Sequence, residues 1–180
     1  MKTTTLALLP GAFAAVLLAL AGCDRDAAVS KNTEGAPTPA VLPAGLIVAT
    51  APADARGVVE VKGAAKDRDE VVVRGVVGGS EDPVAANQAI VTILDAGVTT
   101  CDKMGMDDSC KTPWDACCEK DLPAKVATVQ VLGSDGRPLK GSLAAAGLKP
   151  LKQVVVAGKA RVPADGKALV IDATKIHVVQ

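Results

Sequence analysis

The chain has 180 residues, and its 20 basic and 20 acidic side chains give a formal net charge of zero. That length fits one modest domain with appendages, and the charge balance advertises neither a nucleic-acid partner nor an acidic disordered chain. The apolar content is ample for a core, but Tyr is absent and Phe13 and Trp114 are the only Phe and Trp. Such a core must be built from Val, Ala, Leu and Ile.

The N-terminus reads MKTTTLALLPGAFAAVLLALAGC. Lys2 gives a positive start, and Leu6 to Leu20 form an apolar run too short for a comfortable membrane span. The run ends in Leu20-Ala21-Gly22-Cys23, which resembles the bacterial lipobox. The resemblance implies that residues 1–22 are a lipoprotein signal peptide, cleaved before Cys23, whose thiol then carries a diacylglycerol. An ordinary secretory signal with an incidental Cys is the plainer alternative. Several acyl chains anchor a protein stably, so the mature chain is expected on the periplasmic face of a bacterial envelope membrane. Asp24 resembles an inner-membrane retention signal and tips the choice of membrane that way.

Residues 23–53 are Ala-, Pro- and Thr-rich with no sustained period, and read as a lipid anchor followed by a flexible tether. GLIVAT within it has strand character but no partner nearby. The domain is expected over 54–180. Its first segment, DARGVVEVKGAAK, favours a short helix that Asp54 could cap, although its glycines and valines weaken the signal.

Five strands follow: EVVVRGVVGG (70–79), QAIVTILD (88–95), VATVQVL (126–132), QVVVAGKA (153–160) and KALVIDATKIHVV (167–179). The second and third alternate cleanly, with Val129 and Val131 opposite Thr128 and Gln130. In the fifth the parity changes between Ala173 and Ile176, which predicts a bulge. Gly75 and Gly158 sit inside strands, as at barrel corners. Asp95 ends its strand and is expected to cap a turn. Between the third and fourth strands GSLAAAGLKPL offers a short helix, with Ser142 as N-cap and Gly147 as its stop.

This order is that of a mainly β fold, a five-stranded OB-like Greek-key barrel with one short helix between strands three and four. VVVRGVV, VTILD and VVVAGKA also resemble bacterial and tRNA-anticodon-type OB domains over about residues 68–179. The resemblance implies binding of oligonucleotides, glycans or proteins on the barrel face. Oligonucleotide binding is disfavoured here. No aromatic side chain lies on a predicted strand, and Arg74, Lys159, Arg161 and Lys175 are scattered rather than arrayed along a groove. His177, the only histidine, reads as an ordinary strand residue.

The second and third strands are separated by an insert, 96–125, far longer than a hairpin loop. It carries C-x8-C-x6-C-C from Cys101 through Cys110 to Cys117 and Cys118, without the CxxC of redox dithiols or zinc ribbons. Thr112-Pro113-Trp114-Asp115 predicts a helix start, with Thr112 as N-cap, Pro113 at N1 and Asp115 reaching back from N3. A helix over 113–119 would splay Cys117 and Cys118 by about 100°. Each would then pair with Cys101 or Cys110, in either order. The even count and the exported address favour structural disulfides. Trp114 would form the insert's small core, and Trp114 and Asp115 are its candidate binding residues.

The rival reading is a Zn or Cu site drawn from Cys101, Met104, Met106, Cys110, Cys117 and Cys118, since soft sulfur ligands suit both metals. A redox-active pair is a third. TPWDACC is similar to an insert in envelope lipoproteins with OB-like domains, a resemblance that implies no activity. The expected role is non-catalytic binding of a protein, glycan or small ligand, with no cofactor.

Overall fold

The structure is a computed structural model that describes residues 38–104 and 110–180. Cys23, Asp24 and the leader lie outside the described residues, as do the signal-peptide and lipidation expectations that rest on them. Its elements are β1 (Arg56–Gly57), α1 (Val58–Ala64), β2 (Glu70–Val77), β3 (Ile90–Leu94), β4 (Val126–Gln130), β5 (Gln153–Arg161) and β6 (Val170–Val178). All five expected strands are present, as β2 to β6.

The sheet runs β1-β2-β3-β4-β6-β5, and a further β2–β5 pairing closes it into a five-stranded barrel. Pairing is antiparallel except between β4 and β6 and where β1 joins β2. Closure leaves each barrel strand with a neighbour on both sides, so the ring has no free edge to template aggregation. Inside, Val73, Val91, Ile93, Val129, Val156 and Ile171 are fully buried. The barrel is therefore filled by branched aliphatic side chains, as a chain almost without aromatics requires.

The expected bulge is at Thr174. Ala157 pairs with Lys175 and Gly158 with Ala173, which leaves Thr174 without a ladder partner. Its Oγ1 donates instead to Ala157 O at 3.1 Å. Both strand glycines lie where backbones nearly touch. A Cβ on Gly158 would sit 2.2 Å from Asp172 O, and one on Gly75 would sit 2.7 Å from Leu94 O.

The segment between β4 and β5 is shorter than a helix, a single 3-10 turn at Leu143–Ala146. Ser142 Oγ accepts from Ala144 N at 3.3 Å, and Gly147 stops the turn in the left-handed region. Leu143 and Leu148 on either side are fully buried in the main core.

Helix α1 forms as expected, but Asp54 does not cap it. Gly57 occupies the N-cap without a side-chain bond. The free N–H of Val59 donates instead to Asp95 Oδ2 at 3.0 Å, while Asp95 Oδ1 accepts from Gly97 N at 2.9 Å. Asp95 thus caps its own turn, as expected, and also a helix from a distant part of the chain. Asp95→Ala is expected to destabilise the fold by about 1–2 kcal/mol, the usual worth of a lost cap, and urea unfolding measures it.

The expected tether is corrected from Thr38 onward, where the chain docks on the barrel. Ser142 N donates to Thr38 O at 2.6 Å and Ala40 N to Ser142 O at 3.1 Å. GLIVAT finds its partner in β6, where Ile176 N donates to Leu46 O and Val48 N to Ile176 O. Leu46, at 2% exposure, enters the main core. The backbone of GLIVAT is thus satisfied by β6 and Leu46 by the core, while Ile47 stays exposed.

Candidate functional site

The insert forms a cap on the barrel. Its base is a second apolar cluster of Leu94, Val98 and Ala116, with Leu122 and Val126 packed against it. Leu94 alternates away from Ile93 on β3, so the cap buries an outward-facing side chain of the barrel.

The chain enters through the Asp95 turn, forms a 3-10 turn at Cys101–Met104 and returns past it as a second layer. Cys101 N donates to Asp115 O and Asp102 N to Pro113 O, both at 2.9 Å. Gly79 N, at the end of β2, donates to Trp114 O at 3.1 Å, and Trp114 Nε1 donates to Glu81 O at 3.0 Å. A Cβ on Gly78 would sit 2.4 Å from Trp114 O, so the barrel meets the cap at a position with no side chain.

These bonds explain why the expected helix over 113–119 is absent. In a helix the carbonyls of Pro113, Trp114 and Asp115 would accept from N–H groups four residues on. Here Asp102, Gly79 and Cys101 take them, and 112–115 closes as a turn, with Asp115 N donating to Thr112 O at 2.9 Å. Asp115 Oδ1 accepts from Ala116 N at 2.7 Å and does not reach back as a capping box would. Trp114 is half-buried, and fully buried Ala116 is the cap's packing centre in its place.

The loss of that helix also removes the splayed geometry expected for the vicinal cysteines. Cys117 Sγ lies 3.6 Å from Cys101 Sγ and 4.0 Å from Cys118 Sγ. Both are contacts between thiols, since a disulfide bond is about 2.05 Å. Cys101 is buried, Cys110 half-buried, and Cys117 and Cys118 exposed. Burial first, and then the contact with Cys117, pushes the Cys101 thiol up to about 11. It therefore stays protonated at neutral pH.

As for the metal alternative, no three His, Cys, Asp or Glu side chains converge as a ligand set among the described residues. Met104 is 44% exposed, and Met106 lies outside the described residues.

The cap is pinned again where it rejoins the barrel. Lys125 Nζ lies 2.9 Å from a Glu119 carboxylate oxygen, and Lys62 Nζ on α1 donates to Pro123 O and Val126 O. Lys125 holds the Glu119 carboxyl below its ordinary value. A depressed carboxylate contributes stability above its unfolded value of about 4.3 and loses it as pH falls through the lower folded value. Amide exchange across 119–125 is therefore expected to accelerate below about pH 4, and Glu119→Gln to remove that pH dependence.

A second feature lies elsewhere. A groove of about 790 Å3 is lined by Ile47, Val48, Ala146, His177 and Val178, with Lys149 and Lys152 also in its lining. It exists because the 46–48 segment docks on β6. His177 Nδ1 lies 3.1 Å from Val48 O, and since a carbonyl only accepts, Nδ1 carries the proton. His177 is thus a strand residue that also fastens the docked segment. Sequence reasoning missed this groove because its walls are 129 positions apart at that bond.

In comparisons with known proteins, no family model and no curated sequence matches the chain.

Proposed function

We propose that the chain is a lipid-anchored protein of the bacterial envelope whose OB-like barrel binds a ligand without catalysis. The observation that carries the binding reading is the groove beside β6. Ile47 is 41% exposed there although it is a large aliphatic residue, and it lies in a concave site of small-molecule size. No Asp or Glu side chain lines the groove, whereas Lys149 and Lys152 do. An aliphatic wall with cationic residues favours a small ligand with an apolar body and an acidic group over a glycan.

The lipid anchor rests on the leader sequence alone and places the groove outside the cytoplasm. Within this reading the cap is a support cross-linked through Cys101, Cys110, Cys117 and Cys118. Neither the metal reading nor the oligonucleotide reading gains an observation.

The test titrates the full chain in detergent with dodecanoate and, separately, with dodecyltrimethylammonium. Saturable binding of the anion alone, weakened at least tenfold by Ile47→Asp, is the expected result. Equal binding of both amphiphiles, or no effect of Ile47→Asp, overturns the assignment of the groove. Incorporation of labelled palmitate that Cys23→Ser abolishes tests the anchor.

A further inference from the structure

The cysteine pattern leaves the pairing open, since Cys117 and Cys118 could each take either upstream partner. We propose that the cap is cross-linked by a Cys101–Cys117 disulfide and a Cys110–Cys118 disulfide. The proposal rests on the envelope location argued above, which supplies the oxidising compartment.

Two observations select this pairing. The first is distance, because Cys117 Sγ is already 3.6 Å from Cys101 Sγ. Bond formation needs a closure of only about 1.5 Å, and Cys117 is exposed and free to turn. The second is the backbone. The bonds from Cys101 N to Asp115 O and from Asp102 N to Pro113 O hold the two layers side by side, two residues from Cys117. They hold Cys101 beside Asp115, close to Cys117, with the thiols free and no cross-link to help. Burial is compatible with the pairing without selecting it, since Cys101 is 1% exposed, Cys110 is half-buried, and Cys117 and Cys118 are both exposed. A bond between the adjacent Cys117 and Cys118 would close a small strained ring and leave Cys101 only Cys110, giving up the partner already at 3.6 Å.

The chemistry balances with a disulfide donor as oxidant, either a thiol oxidase of the envelope or oxidised glutathione in vitro. The exposed Cys117 thiolate attacks the donor disulfide, forming a mixed disulfide and releasing one donor thiolate. Cys101 then gives up its proton and attacks Cys117 Sγ, and the second donor thiolate leaves. Two protein thiols and one donor disulfide become one protein disulfide and two donor thiols. Cys101 is a poor first nucleophile because it is buried and protonated, which makes Cys117 the entry point.

The experiment uses the full chain extracted from envelope membranes in detergent, alkylated at once and digested with trypsin without reduction. Cleavage after Arg74, Lys103, Lys111 and Lys120 puts Cys101 on 75–103, Cys110 on 104–111 and both Cys117 and Cys118 on 112–120. All three peptides are expected in one linked mass. Two double variants separate the adjacent cysteines. With Cys110→Ser and Cys118→Ser, reduced protein in glutathione buffer is expected to form the 75–103 to 112–120 link. With Cys110→Ser and Cys117→Ser, the same link is expected at least tenfold more slowly. Equal rates, or a direct 75–103 to 104–111 link in the wild type, overturn the pairing. Four alkylated thiols in protein taken from cells overturn the oxidising location instead, and the glutathione arm still decides the pairing.

Discussion

Gly158→Ala is expected to destabilise the barrel by about 3 kcal/mol, the upper part of the usual range for overpacking. That corresponds to roughly 10 °C in melting temperature for a domain of this size. The added methyl would meet Asp172 O at 2.2 Å and Asp172 C at 2.9 Å. These are backbone atoms of β6, so no rotamer change relieves the clash. The only escape is to part β5 from β6, the two strands that share the longest ladder and the bulge. Gly63→Ala is the contrasting change. A Cβ there meets nothing within 4 Å, and the residue lies in α1. It is expected to stabilise by about 0.5–1 kcal/mol through helix propensity. Circular dichroism melts of both variants measure the contrast. A Gly158→Ala variant that melts with the wild type would mean that β5 and β6 do not cross this closely.

The barrel was legible because its signals are local and mutually consistent. Val-rich runs with period-two alternation marked the strands, and strand order together with the position of the short turn between β4 and β5 gave the topology. The bulge showed as a change of parity within a single strand, and Gly158 marked the tight crossing beside it. Ser142 announced its turn by type and position, although the segment closes as a 3-10 turn, too short for an α-helix. What was not legible is decided by partners far along the chain. Asp95 caps α1 from 36 positions away, and nothing beside Val59 in sequence points to it. The expected tether docks because Ser142 pairs with the backbone of Thr38 and Ala40, and β6, at the other end of the domain, offers Ile176 to the backbone of Leu46 and Val48. In the cap, Thr112-Pro113-Trp114-Asp115 is a good local helix signal. It is overridden because Gly79, Cys101 and Asp102 take the carbonyls on which a helix would depend. Local propensity is worth tenths of a kcal/mol per residue, and three non-local hydrogen bonds plus the burial of Ala116 outweigh it.

The same nonlocality makes the cap the part of the domain that would depend most on the proposed cross-links. Replacing both Cys101 and Cys117 with Ala is expected to lower stability by about 3 kcal/mol, the chain-entropy value for a closed loop of this length. The magnitude matches that expected for Gly158→Ala, but the distribution differs. Gly158→Ala strains the barrel, so exchange of amides such as those of Val73 and Val156 should accelerate with the rest. Loss of the Cys101–Cys117 bond leaves β2 to β6 paired and the aliphatic core untouched. Its effect should concentrate in the amides that join cap to barrel, those of Gly79, Cys101, Asp102 and Asp115. Hydrogen exchange resolves such local opening from global unfolding. Reduction of the wild type breaks the Cys101–Cys117 and Cys110–Cys118 bonds together, so it should open the same amides at least as far as the variant does, without a change of side-chain volume. If the double variant and the reduced wild type both exchange like the oxidised wild type, the apolar base formed by Leu94, Val98 and Ala116 suffices to hold the cap. A uniform acceleration would instead mean that cap and barrel unfold as one cooperative unit.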